Sequence, residues 1–444
     1  MARLPFETYF SDINELGEDE LRELRRLLGL GPSASLDEIR RAMARVNRLW
    51  SRRCLRLRGF KDCVIIYKES LVARDYLERP VLAAARGAVV RHYGGGGVRQ
   101  LSMPFAKFFN YRECRECSKL PGTRCIAREK LDGTLVIAYR DPDTGELLLS
   151  TRGSLHRPPV ANNPYAERFL AAVKRLGLGY ELESLVGDDT TAMFELVNRE
   201  CPASHCLGRE LEKPPGDPAW TPYLLALRDN KSLELIIPEP TAFPAPRSAG
   251  TEDPREALRM AKRLSGEGVV IYFPGETYLG FRWWNYMLKA KNRVYVFKAL
   301  LEASRADEAT KRSMYRRIAR QITLGRIDDL LPLLEGTEYK AFAQEYYEAY
   351  RGLVEAYTRL SRVLRDLVER IGFEKTRRIL ENNLSATIMA RHLDTLLEDP
   401  EKTAARITRE HLLARGGGKH LVEALERHRR RVETIIESLV KHQY

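Results

Sequence analysis

The feature that most limits what this chain can fold into is a change of hydrophobic period near Lys298. Before it, apolar residues come in short runs, many of them alternating with polar ones: "CVIIYKES" (63–70), "GAVVRHY" (87–93), "TLVIAYR" (134–140), "ELLLSTRGS" (146–154), "MFELV" (193–197), "YLLALRD" (223–229), "SLELIIP" (232–238), "GVVIYF" (268–273) and "RVYVFKAL" (293–300). Clusters of Gly, Pro and Asp separate them, and runs of this length and period read as strands. After Lys298 the period lengthens. Phe342, Tyr346, Tyr350, Leu353, Tyr357, Leu360, Leu364 and Leu367 follow steps of three and four, and Gly372 ends the pattern as a helix stop does. One element cannot keep both periods, so the chain has to pass from sheets to helices there.

The start of the chain is also helical. "DELRELRRLLGLG" (19–31) spaces its leucines for a helix that stops at glycine, and "SLDEIRRAMARVNRLW" (35–50) repeats the pattern behind a Ser cap candidate. The four glycines at 94–97 read as a loose hairpin tip and "DPDTGE" (141–146) as a firm one. The expected organisation is an N-terminal helical segment (1–55), an α+β domain of antiparallel sheets with helices (56–300) and an all-helical C-terminal domain (301–444). "GGGK" (416–419) lacks the strand and the spacing of a phosphate-binding loop and reads as a helix break.

Charge narrows the function. Lys and Arg number 74 against 61 Asp and Glu, a net charge of +13, which favours polyanionic partners because each neutralised phosphate releases counterions. No run of about 18 apolar residues is present, so no membrane span is expected. The opening "MARLPFETYFSDINELGEDELRE" meets acids early and has no apolar signal stretch, so a cytoplasmic location is expected. Seven cysteines are an odd count that does not suit a closed disulfide framework, and free thiols are the first reading. Two alternatives stay open: a disulfide, or a zinc site in which Cys114, Cys117 and Cys125 are joined by Cys201, His205 or Cys206.

The chemistry starts at "AREKLDGTLVIAYR" (127–140), where Lys130 ends one strand candidate and Asp132-Gly133 turns the chain into the next. A lysine amine becomes a nucleophile when burial or neighbouring positive charge frees its lone pair. Alone, Lys-x-Asp-Gly is a weak signal, and a hairpin lysine explains it as well. Other stretches follow in order: "STRGSL" (150–155), "FELV" (194–197), "LALRDN" (225–230), "EGVVIYF" (267–273) and "MLKAKNRVYVFK" (287–298). This ordered set resembles the covalent nucleotidyltransferases, namely DNA ligases, RNA ligases and mRNA capping enzymes. Upstream, "AARGAVV" (84–90) and "MPFAKFFNYRE" (103–113) resemble the phage-type RNA ligase 1 family, as does a helical region, rather than an OB-fold, after the Lys-x-Lys strand.

The resemblance implies an ATP-grasp-like nucleotidyltransferase core and a set of roles. Lys130 is the expected adenylated nucleophile, Asp132 shapes its turn and helps hold metal, and Gly133 permits the backbone path. Arg86 is expected on the ATP phosphates; Lys107, Phe109 and Glu129 in the nucleotide pocket; and Glu195 on the ribose hydroxyls. Arg152 stands where the family usually has lysine, which keeps the charge and changes the geometry. Glu267 is expected to bind a divalent metal, Gly268 to make room beside the nucleotide, and Val269 and Ile271 to flank the purine. Lys289 and Lys291, on alternate positions of one strand, are expected to reach the α-phosphate from one face.

The implied reaction uses ATP and Mg2+ or Mn2+ to join RNA 5′-phosphate and 3′-hydroxyl ends, through lysyl-AMP and an adenylated RNA end, in RNA repair with cut tRNA among the candidate substrates. The alternatives are a nucleotidyltransferase acting on DNA ends or RNA caps, and a non-catalytic RNA-binding protein with a ligase-like core. The basic stretch "ERHRRRVETIIESLVKH" (426–442) is a candidate RNA contact. The Tyr- and Leu-lined helices offer a candidate homodimer interface, with a monomer as the alternative.

Overall fold

The structure, a computed structural model, describes residues 4–67, 71–121, 124–203, 209–238, 241–264, 266–304, 308–325, 327–382, 386–413 and 418–441. The chain divides into two compact units, Met1–Phe297 and Lys298–Tyr444. The first is α+β and carries three sheets; the second is helical among the described residues.

In the first unit, β1 (Trp50–Leu57), β2 (Phe60–Tyr67), β3 (Arg86–Tyr93) and β4 (Val98–Ser102) form an antiparallel sheet in that order. The second sheet draws on β7 (Thr134–Arg140), β8 (Leu147–Thr151), β9 (Leu155–His156), β10 (Thr190–Asn198), β11 (Trp220–Asp229) and β12 (Leu235–Ile236). Its order is β12-β11-β10-β7-β8-β9, antiparallel throughout. The third has the order β5-β14-β13-β6, from β5 (Phe109–Asn110), β6 (Ile126–Glu129), β13 (Gly268–Thr277) and β14 (Asn285–Lys291), with β14–β5 as its one parallel pair.

Strand alternation builds the cores. On β7, Val136 and Ala138 face Phe169 and Ala172 of the helix Pro164–Arg175, together with Phe194 of β10. The intervening Leu135, Ile137 and Tyr139 face the other way, toward Val64, Val89, Phe105, Phe108, Tyr272 and Met287. Each fully buried side chain of this kind contributes about 1.5–3 kcal/mol. A third core joins the N-terminal helices (Phe6, Leu24, Ile39) to the first and third sheets (Cys63, Val90, Phe109, Ile271, Leu288).

Both hairpin tips form as the sequence indicates. The glycines at 94–97 link β3 to β4, with His92 opposite Val98. At 141–146 Asp141 Oδ1 accepts from Asp143 N, and Arg140 pairs with Leu147. A buried ion cluster, which the sequence reading missed, ties the first two sheets together. Arg91 of β3 reaches Asp62 of β2 at 2.7 Å and Asp141 at 2.9 Å, and Arg157 reaches Asp141 at 2.8 Å.

Two strand expectations are corrected. "RVYVFKAL" lies in a helix, Arg293–Ser304, despite its β-branched residues. Asn292 Oδ1 accepts from the backbone N–H of Val294 and Tyr295 and so caps that helix, which overrides the local preference. "SLELIIP" contributes only the two residues of β12 to a ladder.

In the second unit the helix Tyr339–Ile371 stops at Gly372, whose φ of +89° is costly for other residues. Its Tyr346, Tyr350, Leu353, Tyr357, Leu360 and Leu364 are buried, and the helices Pro400–Ile407 and Lys419–Lys441 pack on it. The apolar stripe expected as a dimer interface is thus consumed inside the unit. Among the described residues no helix is long and apolar enough to cross a membrane.

Candidate active site

Lys130 directly follows β6, and its backbone N–H donates to Gly268 O at 2.8 Å, which pins it beside the start of β13. The turn into β7 then passes so close to β10 that a Cβ on Gly133 would lie 2.3 Å from Leu196 O. Only glycine fits there. Gly133 N–H donates to Glu195 Oε1 at 3.1 Å, and Asp132 Oδ2 accepts from Tyr295 OH at 2.7 Å. The turn is therefore held from both sides.

This turn lies on a cleft of about 330 Å³ between the sheets of the first unit. Arg86, Glu129, Lys130, Asp132, Gly133, Arg152, Glu195, Glu267, Lys289 and Lys291 all line it. Those are most of the residues singled out in the sequence, drawn from positions as far apart as 86 and 291. Glu267 bridges two lysines: one carboxylate oxygen pairs with Lys130 Nζ and the other with Lys291 Nζ at 2.8 Å. Burial pushes the Glu267 carboxyl up, but Lys130 and Lys291 outweigh it and hold its pKa below the usual range. Glu195 has less help, and burial pushes its pKa up to about 7 against the pull of Lys130 and Arg152.

The cations are crowded. Burial, then Arg86, Lys107, Lys291 and Lys130, push the Lys289 pKa down to about 6. Arg86 is half-buried, with its Nε and Nη1 buried and unpartnered and its guanidinium 5.0 Å from the Phe108 ring centroid; Lys289 Nζ is 5.1 Å from the same ring. Buried donors left unpaired cost about 1–3 kcal/mol each, more when charged. A phosphate-bearing ligand would satisfy them. Phe105, Leu225, Ile237, Val270, Tyr272 and Met287 supply an apolar wall beside this charge.

Five expected residues are placed elsewhere or serve another purpose. Phe109 is fully buried against Tyr76, Tyr278 and Trp284, and Phe105 and Phe108 line the cleft in its stead. Val269, with Ile271, points into the core, so Val270 and Tyr272 face the cleft. Gly268 makes room for protein rather than for a ligand: its φ is +141° and a Cβ would lie 2.0 Å from Ala290 O. That conformation breaks the strand alternation and lets Glu267 and Val270 share a side. Lys107 lies behind the cleft, its ammonium 5.1 Å from the Tyr76 ring centroid. Missed residues include Arg128 on the lining and Tyr295 on Asp132. A tyrosine three residues beyond a capping Asn292 was the available signal for Tyr295.

The expectation of free thiols and the zinc alternative are both corrected. Cys114 is bonded to Cys117 and Cys54 to Cys63, and Cys201 is also disulfide-bonded. A thiol consumed in a disulfide offers no thiolate to a metal. Cys125 is a buried free thiol, its pKa pushed up to about 11 by burial. His205 and Cys206 lie outside the described residues.

No protein-family model matches the chain, and no curated protein matches it either. Parts of it are similar to solved structures. One is a mutant of Naegleria gruberi RNA ligase with AMP and Mn, at 14% identity and TM-score 0.31, covering 44% of this chain and 58% of that one. Another mutant of the same ligase, with ATP and Mn, has 13% identity and TM-score 0.31 and covers 58% and 80%. An archaeal ATP-dependent RNA ligase has 15% identity and TM-score 0.35 and covers 76% and 74%. The chain thus spans little more than half of the first of these. TM-scores under 0.5 do not carry a function from one protein to another, which leaves the site's own residues to argue it.

Proposed function

We propose that the chain is an ATP-dependent RNA ligase that works through AMP bound covalently to Lys130. One observation carries this reading. A lysine at a rigid Lys-x-Asp-Gly turn shares a carboxylate with Lys291, in a cleft where the Arg86 guanidinium has buried, unpartnered donors and an apolar wall stands alongside. Those are the needs of a nucleoside triphosphate: cations for phosphates and apolar surface for a base.

In the first step Lys130 Nζ attacks the α-phosphorus of ATP. The P–N bond forms, the bond to the bridging oxygen breaks, and pyrophosphate leaves. The proton on Nζ passes to Glu267, the carboxylate already paired with it. Arg86, Lys289 and Lys291 offset the charge that grows on the nonbridging oxygens. Glu195 accepts from the ribose hydroxyls. In the second step an oxygen of an RNA 5′-phosphate displaces Lys130 and takes the AMP. In the third a 3′-hydroxyl attacks that 5′-phosphate, AMP leaves and the phosphodiester forms.

The carboxylates of Glu267 and Asp132 are hard oxygen donors suited to Mg2+ or Mn2+, which when bound would neutralise phosphate charge. The sealed ends belong to RNA, cut tRNA among them. The disulfides fit a cytoplasmic location best if the source is a hyperthermophile.

Label transfer tests the reading. Protein given [α-32P]ATP should retain label, and 5′-phosphorylated RNA should then discharge it into a longer RNA. Label taken from GTP would point to capping instead, and discharge only by DNA ends to a DNA ligase. A chain that takes up no label would be a non-catalytic RNA binder.

A further inference from the structure

We propose that the β1–β2 hairpin is the platform on which single-stranded RNA lies as its end enters the cleft; this rests on the ligase reading of the cleft. Between Trp50 and Lys61 the chain has Arg52, Arg53, Arg56, Arg58 and Lys61, and no acidic residue. Among the described residues none of the five forms an ion pair. Cations elsewhere are commonly matched: Arg25 with Glu18, Arg140 with Glu183, Lys213 with Glu200. The nearest acid in sequence, Asp62, is buried and already bound by Arg91 and Arg157.

The placement of this charge is specific. β1 is the edge of its sheet, and Arg52, Arg53 and Arg56 are exposed on it, with Arg58 exposed in the turn that follows. Arg56 sits directly opposite Lys61 in the antiparallel register. Like charges across a strand pair are destabilising, and a bound polyanion removes that cost. The disulfide between Cys54 and Cys63 crosses the hairpin between Arg53 and Arg56 and holds the two strands together.

Arg53 lies on the cleft side of this edge strand, whereas Arg52, Arg56 and Lys61 alternate to its other face, so RNA on the hairpin wraps over the edge to reach the cleft. Arg53 Nη1 donates to Gly153 O at 3.2 Å, and the neighbouring Arg152 is an exposed residue of the cleft lining. From Arg58 back to Arg53 the strand spans about 17 Å. Arg152 and then Arg86 continue the positive charge inward.

The basic C-terminal stretch is a weaker candidate than its sequence implies. On the helix Lys419–Lys441, Arg427 pairs with Glu423, and Arg429 pairs with both Glu426 and Glu433. Binding on the hairpin is by charge and therefore tolerant of sequence.

The test is fluorescence anisotropy of a 5′-phosphorylated single-stranded RNA with the full chain, without ATP, over a range of salt concentrations. In Arg56→Gln/Arg58→Gln/Lys61→Gln, affinity should fall about tenfold or more. The slope of log K against log salt should shrink by about 2, from roughly 0.7 per lost phosphate contact. Arg56→Lys/Arg58→Lys should keep most of the slope, which separates lost charge from lost fold, and an unchanged melting temperature checks the fold directly. An unchanged affinity and slope in the glutamine variant overturns the proposal. So does a glutamine variant that loses binding to phosphatidylserine vesicles while it keeps RNA. Uptake of label from ATP is followed on the same wild-type protein. Label with an unchanged RNA slope in the variant overturns the platform and leaves the ligase reading standing. No label with a reduced slope overturns the ligase reading and leaves an RNA-binding hairpin.

Discussion

Replacing Lys289 by methionine should change how many protons accompany nucleotide binding. With a pKa of about 6 in the unliganded cleft, Lys289 carries its charge in only about 3% of molecules at pH 7.5. Charging it there costs about 2 kcal/mol, from 1.5 pH units at about 1.36 kcal/mol each. A triphosphate beside Nζ reverses the local field and restores the ammonium. Binding should therefore take up close to one proton, less roughly 0.2 released by Glu195 as the ribose hydroxyls donate to it.

Calorimetry with α,β-methylene ATP, which cannot release pyrophosphate, counts these protons when run in two buffers of different ionisation enthalpy. Wild type should show a net uptake of about 0.7 at pH 7.5 and a net release at pH 5.5, where Lys289 is already mostly charged and Glu195 still holds the proton it gives up. Lys289→Met should show none or a slight release at pH 7.5. The same burial penalises the unliganded fold. The folded pKa lies below the unfolded value of 10.5, so the unfolded chain binds more protons between those limits. Lys289→Met should thus stabilise the fold, by on the order of 2–4 kcal/mol near neutral pH, and raise Tm accordingly. Equal proton counts in wild type and variant would refute the argument.

Other perturbations have equally definite outcomes. Gly268→Ala places a Cβ 2.0 Å from Ala290 O at φ +141°, and a denaturant melt should show a loss of roughly 3 kcal/mol or more. Arg91→Met leaves Asp62 and Asp141 buried without their main partner and should cost about 3–5 kcal/mol. Burial pushes the Asp141 carboxyl up, but Arg91, the Asp143 N–H and Arg157 hold it far below the usual range. Its contribution is therefore present above about pH 4 and lost as pH falls below that, and Asp141→Asn should flatten the acid limb of the stability curve. Asn292→Ala removes a helix cap and should cost about 1–2 kcal/mol by thermal melting. It should also slow label uptake, because Tyr295 on that helix holds Asp132.

Much of the site was legible because its residues are of rare type in fixed local order. The turn at Lys130-Leu131-Asp132-Gly133, the carboxylates Glu195 and Glu267, and the alternating Lys289 and Lys291 each carry their chemistry in a few adjacent letters. The switch to helices was legible from period alone. What failed was decided by conformation or by distance. The expectation for Val269 fails because nothing local announces that Gly268 at φ +141° shifts the facing of the strand after it. "RVYVFKAL" looked like a strand because its β-branched residues outvoted one capping Asn292. Arg91, Asp62, Asp141 and Arg157 are single charges scattered over nearly a hundred residues, and only the sheet topology brings them together. An odd cysteine count argued for free thiols, yet one buried leftover thiol is compatible with pairs elsewhere.

The most direct measurement is intact mass followed by peptide mapping after incubation with ATP and Mn2+. One adenylyl group per chain is expected, on the peptide containing Lys130, labile to acid as a phosphoramidate is, and absent from Lys130→Ala. Adduct on another residue, or a wild-type chain that stays at its unmodified mass, would contradict the account.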